Sequence, residues 1–484
     1  MILGITSQNH DASMALIDGK EILWAAHSER YSRTKNDSLL NKDMLKDLYT
    51  YGSPSQIVWF EKPWQKNLRR LRAGQNPWYV DPGTELRKLG LEKLPVTYVS
   101  HHKSHAAGGF YTSGFKDASI LVVDAIGEWD TVSIWQGDSR GIRSVWKKRY
   151  PNSLGLFYTA FTQYLGLKPN EEEYILMGMA ALGKPLIVEE LKNEFFIDFS
   201  GPNFKLKHNL HKGCKWWENK TKARNFDIAA SVQSIMEEYL IKTVAWMSSK
   251  LPSRNLVFMG GVALNCVANS KLARLEYYDN VWIMPNPGDA GSAIGAVAAY
   301  TERHLNWKTP YLGFNISRPL DIERAVKQLQ AGKIVAIANG RAEFGPRALG
   351  NRSLLCDPRG ANAKARMNSL KKREEFRPFA PAILAEKAHE YFDMPVKESP
   401  YMQFVAECKN QNELPGICHI DGTSRVQTVS KQDNENFSNL LEAWYTVSGC
   451  PILMNTSLNV KGEPLVNTWY DALRWEKLNN TQIF

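Results

Sequence analysis

Two stretches of the chain repeat one alternation of apolar runs and polar turns. In the first, ILGIT leads into a polar loop with His10, Asp11 and Ser13, then SMALI, an Asp18-Gly19 turn and the run EILWAA. In the second, SILVVD leads into a loop with Glu128 and Asp130, then TVSIW, the turn GDSRG and IRSVW. Each predicts a strand, an acidic loop and a hairpin. The shared order predicts a duplicated α/β domain. Further along, NLVFMGGVALNCVAN and VWIMPNPGDAGSAIGAVAAYTERHL each read as a buried strand, a glycine-rich turn and a helix. Free amides at a helix start after such a turn suit an anion, and Gly260, Gly261, Asn265 and Gly288 lie in these two turns. The pattern breaks at NWKTPYLGFNISRP, which predicts a linker. A helix and the strand KIVAIANG then open a second region. The expected division is a first domain over 1–308, a linker over 309–319 and a second domain over 320–484.

Composition adds that 484 residues, 43% hydrophobic and 23% charged, suit a folded chain of two or three domains. No apolar run approaches the roughly 18 residues of a membrane span, and the start has no basic segment before a cleavage site. A cytoplasmic protein with no membrane partner is expected. Six scattered cysteines without a Cys-x-x-Cys pair argue for reduced thiols and against a thiolate zinc site.

Chemistry concentrates in a few places. In VSHHKSHAAGGF, a helix after Ser100 would set His101 and His105 one turn apart on one face, the spacing by which two imidazoles grip a metal. Asp289, in PNPGDAG, is a suitable third donor, and two His with one carboxylate favour iron, manganese or zinc. The competing reading is a polar helix start. A basic set follows: Arg347 and Arg352 in EFGPRALGNRSLL, Lys371 in SLKKREEFRPFAP, and Arg377. With Asn455 and Ser457 of MNTSLN, these form either a phosphate site or a surface ion-pair network.

The net charge of +10 gains meaning from two stretches that mix basic and aromatic residues. WFEKPWQKNLRRLRAGQNPWYV carries Lys66, Arg69, Arg70 and Arg72, and KLKHNLHKGCKWWENKTKAR carries Lys215, Trp216, Trp217 and Lys220. Such mixing suits phosphate contact with base stacking. The competing reading is a solvated face over buried tryptophans.

Nine motifs together resemble the O-carbamoyltransferases of the NodU and CmcH type: HDAS (10–13), SERYSRTK (28–35), HHKSHA (101–106), MGMAALG (177–183), GGVALNCVAN (260–269), GDAGSAIGA (288–296), FGPRALGNRSLL (344–355), FRPFAP (376–381) and MNTSLN (454–459). The resemblance runs over nearly the whole chain and implies an N-terminal Kae1-like domain of the duplicated actin-like (ASKHA) class, followed by a C-terminal YrdC-like α/β domain. It implies that the second domain makes carbamoyl adenylate from carbamoyl phosphate and ATP with Mg2+, and that the first transfers the carbamoyl group to a hydroxyl. On this resemblance Arg347, Arg352, Lys371, Arg377, Asn455 and Ser457 would contact carbamoyl phosphate and ATP. His101, His105 and Asp289 would hold Fe2+, with Mn2+ or Zn2+ as alternatives. Gly260, Gly261, Asn265 and Gly288 would cradle the adenylate, and His10 and Asp11 would orient or deprotonate the acceptor. A homodimer is a further expectation from the resemblance.

The chain departs from the pattern at Ala125, where a glycine is usual, at EEEYILMGMA, where a basic residue is common, and in its short tail. The expected acceptor is 5-hydroxymethylcytosine in DNA, with a sugar or antibiotic hydroxyl as the alternative. A threonylcarbamoyl transferase acting on tRNA and a non-catalytic nucleic-acid-binding scaffold are the competing functions.

Overall fold

The computed structural model describes residues 1–76, 80–218, 220–360, 362–373, 377 and 379–484. It is a mixed α/β protein whose contacts divide it into two units. One comprises Met1–Leu23 and Gly52–Trp307, the other Trp24–Tyr51 and Lys308–Phe484.

The first unit holds two five-stranded sheets of the same order. In one, Ile2–Thr6 runs antiparallel to Ser13–Asp18 and parallel to Gln56–Trp59, which in turn runs parallel to Val96–Tyr98. Glu21–His27 lies beyond Ser13–Asp18, and the division between the units falls within it, after Leu23. In the other sheet, Ala118–Gly127 pairs antiparallel with Asp130–Asp138 and parallel with Asn255–Met259; Gly141–Arg149 and Asn280–Trp282 complete the two sides. Both hairpins expected from the alternation are present.

The helices His101–Thr112 and Ser292–Thr301 are buried on nearly all sides, consistent with their lack of a polar stripe. They meet main chain to main chain. A Cβ on Gly295 would stand 2.1 Å from the Ser104 carbonyl oxygen, so only glycine permits the approach that brings His105 beside Asp289. Gly260 does the same for the second sheet. Its φ of +92° and the Val123 carbonyl, 2.2 Å from a built Cβ, exclude other residues.

The second unit is built on a five-stranded sheet in the order Val335–Ala338, Arg352–Cys356, Ile452–Ser457, Ala380–Leu384, Gln427–Val429. All pairs are antiparallel except the last. Helices Ile322–Gln330 and Glu435–Ser448 cover one face through Leu329, Leu440, Leu441 and Trp444. Met367 and Trp475 pack on the other core.

Two boundaries differ from expectation. The stretch read as a linker contains the strand Tyr311–Ile316, antiparallel to Gly340–Glu343. Its glycine and asparagine tolerate pairing because main-chain hydrogen bonds need no particular side chain. The segment Trp24–Tyr51 groups with the second unit although it lies within 1–308. The SERYSRTK motif explains this, since Arg30 Nη2 donates to Gly345 O (2.9 Å) and Arg33 Nη2 donates to Pro464 O (3.0 Å).

Candidate active site

Four side chains of the first unit converge. His101 and His105 leave the first two turns of His101–Thr112, Asp124 lies in Ala118–Gly127, and Asp289 opens the short turn before Ser292–Thr301. Their potential ligand atoms all lie within 4.8 Å of one another. His101 Nε2 is 3.1 Å from Asp124 Oδ2, 3.2 Å from Asp289 Oδ1 and 3.1 Å from His105 Nε2. His105 Nε2 is 3.3 Å from Asp289 Oδ1 and 3.5 Å from Asp124 Oδ2. His101, His105 and Asp289 are buried, and Asp124 keeps 13% of its side chain exposed.

These spacings fit a cation. Ligands held about 2.0–2.1 Å from one ion in a tetrahedral set stand roughly 3.3 Å apart. Two imidazole nitrogens facing each other at 3.1 Å repel unless a proton or metal lies between them. The residues therefore suit a divalent transition metal. Asp124 is not among the ligands expected from the sequence, because SILVVD reads as a buried strand. A lone Asp ending a buried apolar run is the signal that could have found it.

The surrounding contacts fix the ligands. Asn9 Nδ2 donates to Asp289 Oδ2, Ser292 Oγ lies 3.2 Å from His105 Nδ1, and the Ala125 amide donates to Asp124 Oδ1 at 2.8 Å. Behind His101, Glu61 Oε2 lies 3.6 Å from Nδ1, and Lys66 Nζ donates to Glu61 Oε1 at 2.7 Å. Without a metal, burial opposes charge on every member, yet their attraction prevails. Asp124 and Asp289 fall below the usual carboxylate range, and His101 and His105 rise above the usual imidazole value. Glu128, whose carboxylate accepts the Lys62 amide (2.6 Å), is pushed up to about 7 by burial.

His10 and Asp11 lie beside one another, Nδ1 to Oδ2 at 3.0 Å, with the His10 ring 45% exposed. Desolvation resists protonation of His10, but the Asp11 bond and the charges of Asp11, Asp289 and Asp124 raise it to about 10. Of the glycine-turn residues, Gly261 directs its amide at Asp124 Oδ1 (3.4 Å) and Gly260 donates its own to Pro287 O (2.9 Å). Asn265 caps Cys266–Ala273 and exchanges amide bonds with Gln233. Gly288 precedes Asp289 in extended backbone.

In the second unit the basic set divides. Arg352 is fully buried, and each guanidinium nitrogen donates to main-chain carbonyls, those of Asn467, Asn339, Gly340, Asn351 and Phe314, at 2.9–3.3 Å. Desolvation lowers it to about 10, still charged at neutral pH. Against the expected role as a phosphate ligand stands this hydrogen bonding, in which every guanidinium nitrogen braces main chain. Lys371 is likewise buried, with Nζ bonded to Ser457 O (2.5 Å), Ser457 Oγ (3.0 Å), Asn459 O (2.7 Å) and Asn459 Oδ1. It clamps the end of the strand Ile452–Ser457 to Asn459 just after it, and desolvation with Arg373 and Arg377 nearby lowers it well below the ordinary lysine value. Asn455 Nδ2 donates to Gln427 Oε1 (2.7 Å) and Ala348 O (3.2 Å). Arg347 and Arg377 are partly exposed, which leaves them as the accessible cations of the set. Phe376 and Pro378 of FRPFAP lie outside the described residues.

The basic-aromatic stretches also divide. Lys66 is buried against Glu61, and Arg69 is only 5% exposed beside the Tyr150 ring. Trp217 is buried among Phe161, Tyr164 and Phe195. These three are corrected from surface DNA contacts to interior residues, since the helical and aromatic periodicity that looked like a binding stripe packs the core. Arg70 donates Nε to Asn76 O, and Arg72 lies over Trp129. Lys215 is exposed, and Lys220 pairs with Glu194 over the Trp216 ring. Trp78 and Tyr79 lie outside the described residues.

Comparison with known proteins then places the chain. A family model described as the carbamoyltransferase N-terminus matches residues 79–298, and one described as the carbamoyltransferase C-terminus matches 326–483. The chain belongs to the carbamoyltransferase family and is a carbamoyltransferase. An uncharacterized Synechocystis protein is 33% identical over 98% of this chain and 93% of its own. Nodulation protein NolNO of Sinorhizobium fredii is 31% identical over 96% and 76%. The 3'-hydroxymethylcephem-O-carbamoyltransferase of Amycolatopsis lactamdurans is 27% identical over 98% and 96%. Among the described residues no helix is long and apolar enough to cross a membrane.

Proposed function

We propose that the protein is an ATP-dependent O-carbamoyltransferase: the second unit forms carbamoyl adenylate from carbamoyl phosphate and ATP with Mg2+, and the first transfers the carbamoyl group to a hydroxyl. The carrying observation is the buried four-ligand set in a chain matched by carbamoyltransferase models in both units. The cephem O-carbamoyltransferase relative supports a hydroxyl acceptor. The matching order of the two sheets supports a Kae1-like, actin-like reading of the first unit, and the C-terminal family match supports a separate adenylate-forming YrdC-like unit.

His101, His105, Asp124 and Asp289 would hold the divalent metal, which supplies a Lewis acid for phosphate oxygens when bound. Making the mixed anhydride consumes one water and releases phosphate and pyrophosphate; Arg347 and Arg377 are the accessible cations for those charges. In transfer, the acceptor oxygen attacks the carbamoyl carbon, AMP leaves through its phosphate oxygen, and the hydroxyl proton passes to His10 Nε2. Against desolvation, His10 is raised first by the Asp11 bond and charge and then by the charges of Asp289 and Asp124. A divalent cation held by Asp124 and Asp289 would offset the part of that raising that comes from their charges and would ease proton acceptance by His10, while the Asp11 bond would remain and orient Nδ1.

The acceptor we favour is a small molecule. The 5-hydroxymethylcytosine reading keeps the exposed Arg72, Lys215 and Trp216, but it loses Lys66, Arg69 and Trp217 to the interior. The test is incubation with carbamoyl phosphate, ATP and hydroxylated acceptors, including hydroxymethylcytosine DNA, with mass analysis of products and assay of pyrophosphate. We expect a carbamoyl adduct on a small acceptor. An adduct on DNA alone overturns that choice, and neither adduct nor pyrophosphate overturns the reaction. Sedimentation of the same sample tests the homodimer implied by the family.

A further inference from the structure

One group of polar side chains in the first unit has no place in the chemistry above. Arg69, on the helix Pro63–Arg72, is buried, yet its Nε and Nη1 have no hydrogen-bond partner among the described residues. Its guanidinium carbon lies 5.8 Å from the centroid of the Tyr150 ring. His211 packs edge-on against the same ring, with centroids 5.9 Å apart. Gln75 Nε2 lies 2.7 Å from His211 Nε2. An amide nitrogen can only donate, so His211 Nε2 accepts and the neutral ring carries its proton on Nδ1. That Nδ1 is also buried and without a partner among the described residues, as is Gln75 Oε1. Tyr150 is thus flanked by donors without acceptors.

Buried N–H groups of a guanidinium left unpaired are costly, and the acidic neighbour acting on Arg69, Glu61, is engaged by Lys66 at 2.7 Å. A donor-rich cluster of this kind selects an anion. Lys66 lies one turn before Arg69 on the same helix, and Glu61 faces the metal-ligand candidate His101. The cluster is therefore tied through one ion pair to the place where transfer would occur.

We propose that Arg69 and His211, with Gln75 Oε1 as an acceptor for a hydroxyl, form a subsite for an acidic group on the carbamoyl acceptor, a carboxylate or a phosphate monoester. This rests on the O-carbamoyl reading for its role, while binding itself needs neither carbamoyl phosphate nor ATP. Arg69 is the specificity-determining residue. Its burial suits a small acidic acceptor that enters the protein and excludes the backbone of a duplex lying on the surface.

The test uses the full metal-loaded chain and three probes: glucose, glucuronate and glucose 6-phosphate, with binding followed by saturation-transfer NMR. We expect at least one acidic probe to bind about tenfold or more tightly than glucose, and Arg69→Gln to remove that preference while metal content and melting temperature hold. His211→Asn should reduce the preference severalfold. Glucuronate or glucose 6-phosphate as the stronger binder identifies the carboxylate or the phosphate. Phosphate sites in the second unit would bind glucose 6-phosphate irrespective of Arg69, so the decisive quantity is the part of the preference lost in R69Q. No acidic preference, or one that survives R69Q, overturns the subsite. Should R69Q fail to fold, Arg69→Lys decides, because it keeps the charge and loses the fork: an undiminished preference overturns the proposal and a weakened one supports it. Acid binding without carbamoylation of any hydroxyl would leave the subsite standing and count against the O-transfer reading.

Discussion

The two units both bury charge, and they satisfy it in opposite ways. In the first, two carboxylates and two imidazoles face one another at one point, steadied from outside by Asn9, Ser292, Glu61 and the Ala125 amide. In the second, Arg352 and Lys371 spend their donors on neutral oxygens of their own loops and strands. The first arrangement could hold a metal ion, whereas the second spends its donors within the chain. Buried charge marks a functional site when its partners are other side chains converging on a point, and marks architecture when its partners are main-chain carbonyls.

The sharpest way to break this contrast is to remove Arg352. Arg352→Leu would strip donors from the carbonyls of Asn339, Asn351, Phe314 and Asn467. Each carbonyl left buried and unpaired costs about 1–3 kcal/mol, so we expect a loss on the order of 4 kcal/mol or more in denaturant unfolding of the second unit. A variant of wild-type stability with only a raised KM for carbamoyl phosphate would return Arg352 to the phosphate site.

A comparable effect is expected behind the candidate metal ligands. Lys66→Met leaves Glu61 buried without its cation, which costs about 3–5 kcal/mol when one partner of a buried pair is removed. The double change Lys66→Met with Glu61→Leu should recover most of that loss. Melting of the three proteins measures the coupling, and additive losses would mean that the pair does not act as a unit.

Asp124 sharpens the comparison from the other side. If the first-unit set is complete only with a cation, Asp124→Asn should weaken metal retention beyond the roughly 10–100-fold seen for changes around a ligand shell. Elemental analysis after dialysis against a chelator should then fall from about one ion per chain to near zero. Full retention in that variant would reduce the site to the two histidines and Asp289.

Much of this was legible in the sequence. The repeated strand, loop and hairpin predicted both first-unit sheets, and the spacing of His101 and His105 placed them on one helical turn. What escaped was partnership. Asp124 looks like any residue ending a strand until Gly260 packs against Val123 and brings Gly261 to its carboxylate. Arg352 sits in a motif with Arg347, yet one is sealed inside and the other is partly exposed, a difference set by which side of a strand start each occupies. The segment Trp24–Tyr51 joined the second unit through arginine-to-carbonyl bonds across more than 300 residues of chain, which no local pattern reports.

The smallest effect is a dependence on pH that should exist only without metal. In the metal-free protein His101 and His105 are raised above the ordinary imidazole value of 6.5, and His10 is raised to about 10. A raised value means that the folded state holds its proton more tightly than the unfolded chain does. The stabilisation is complete below about pH 6.5 and is lost as pH rises through the folded values, for His10 between about 6.5 and about 10. Asp124 and Asp289 have the opposite sign: their depressed values stabilise above the ordinary 3.8 and lose that contribution as acid protonates them in the folded state. Metal-free protein should therefore melt progressively lower from pH 6.5 to pH 10. Loaded protein holds its two ligand imidazoles neutral throughout and should show a flatter profile, so the two curves diverge as pH rises. Parallel curves, measured by calorimetry on chelated and reloaded samples, would show that the four side chains hold one another as the second-unit cations hold their carbonyls, with no need of a metal.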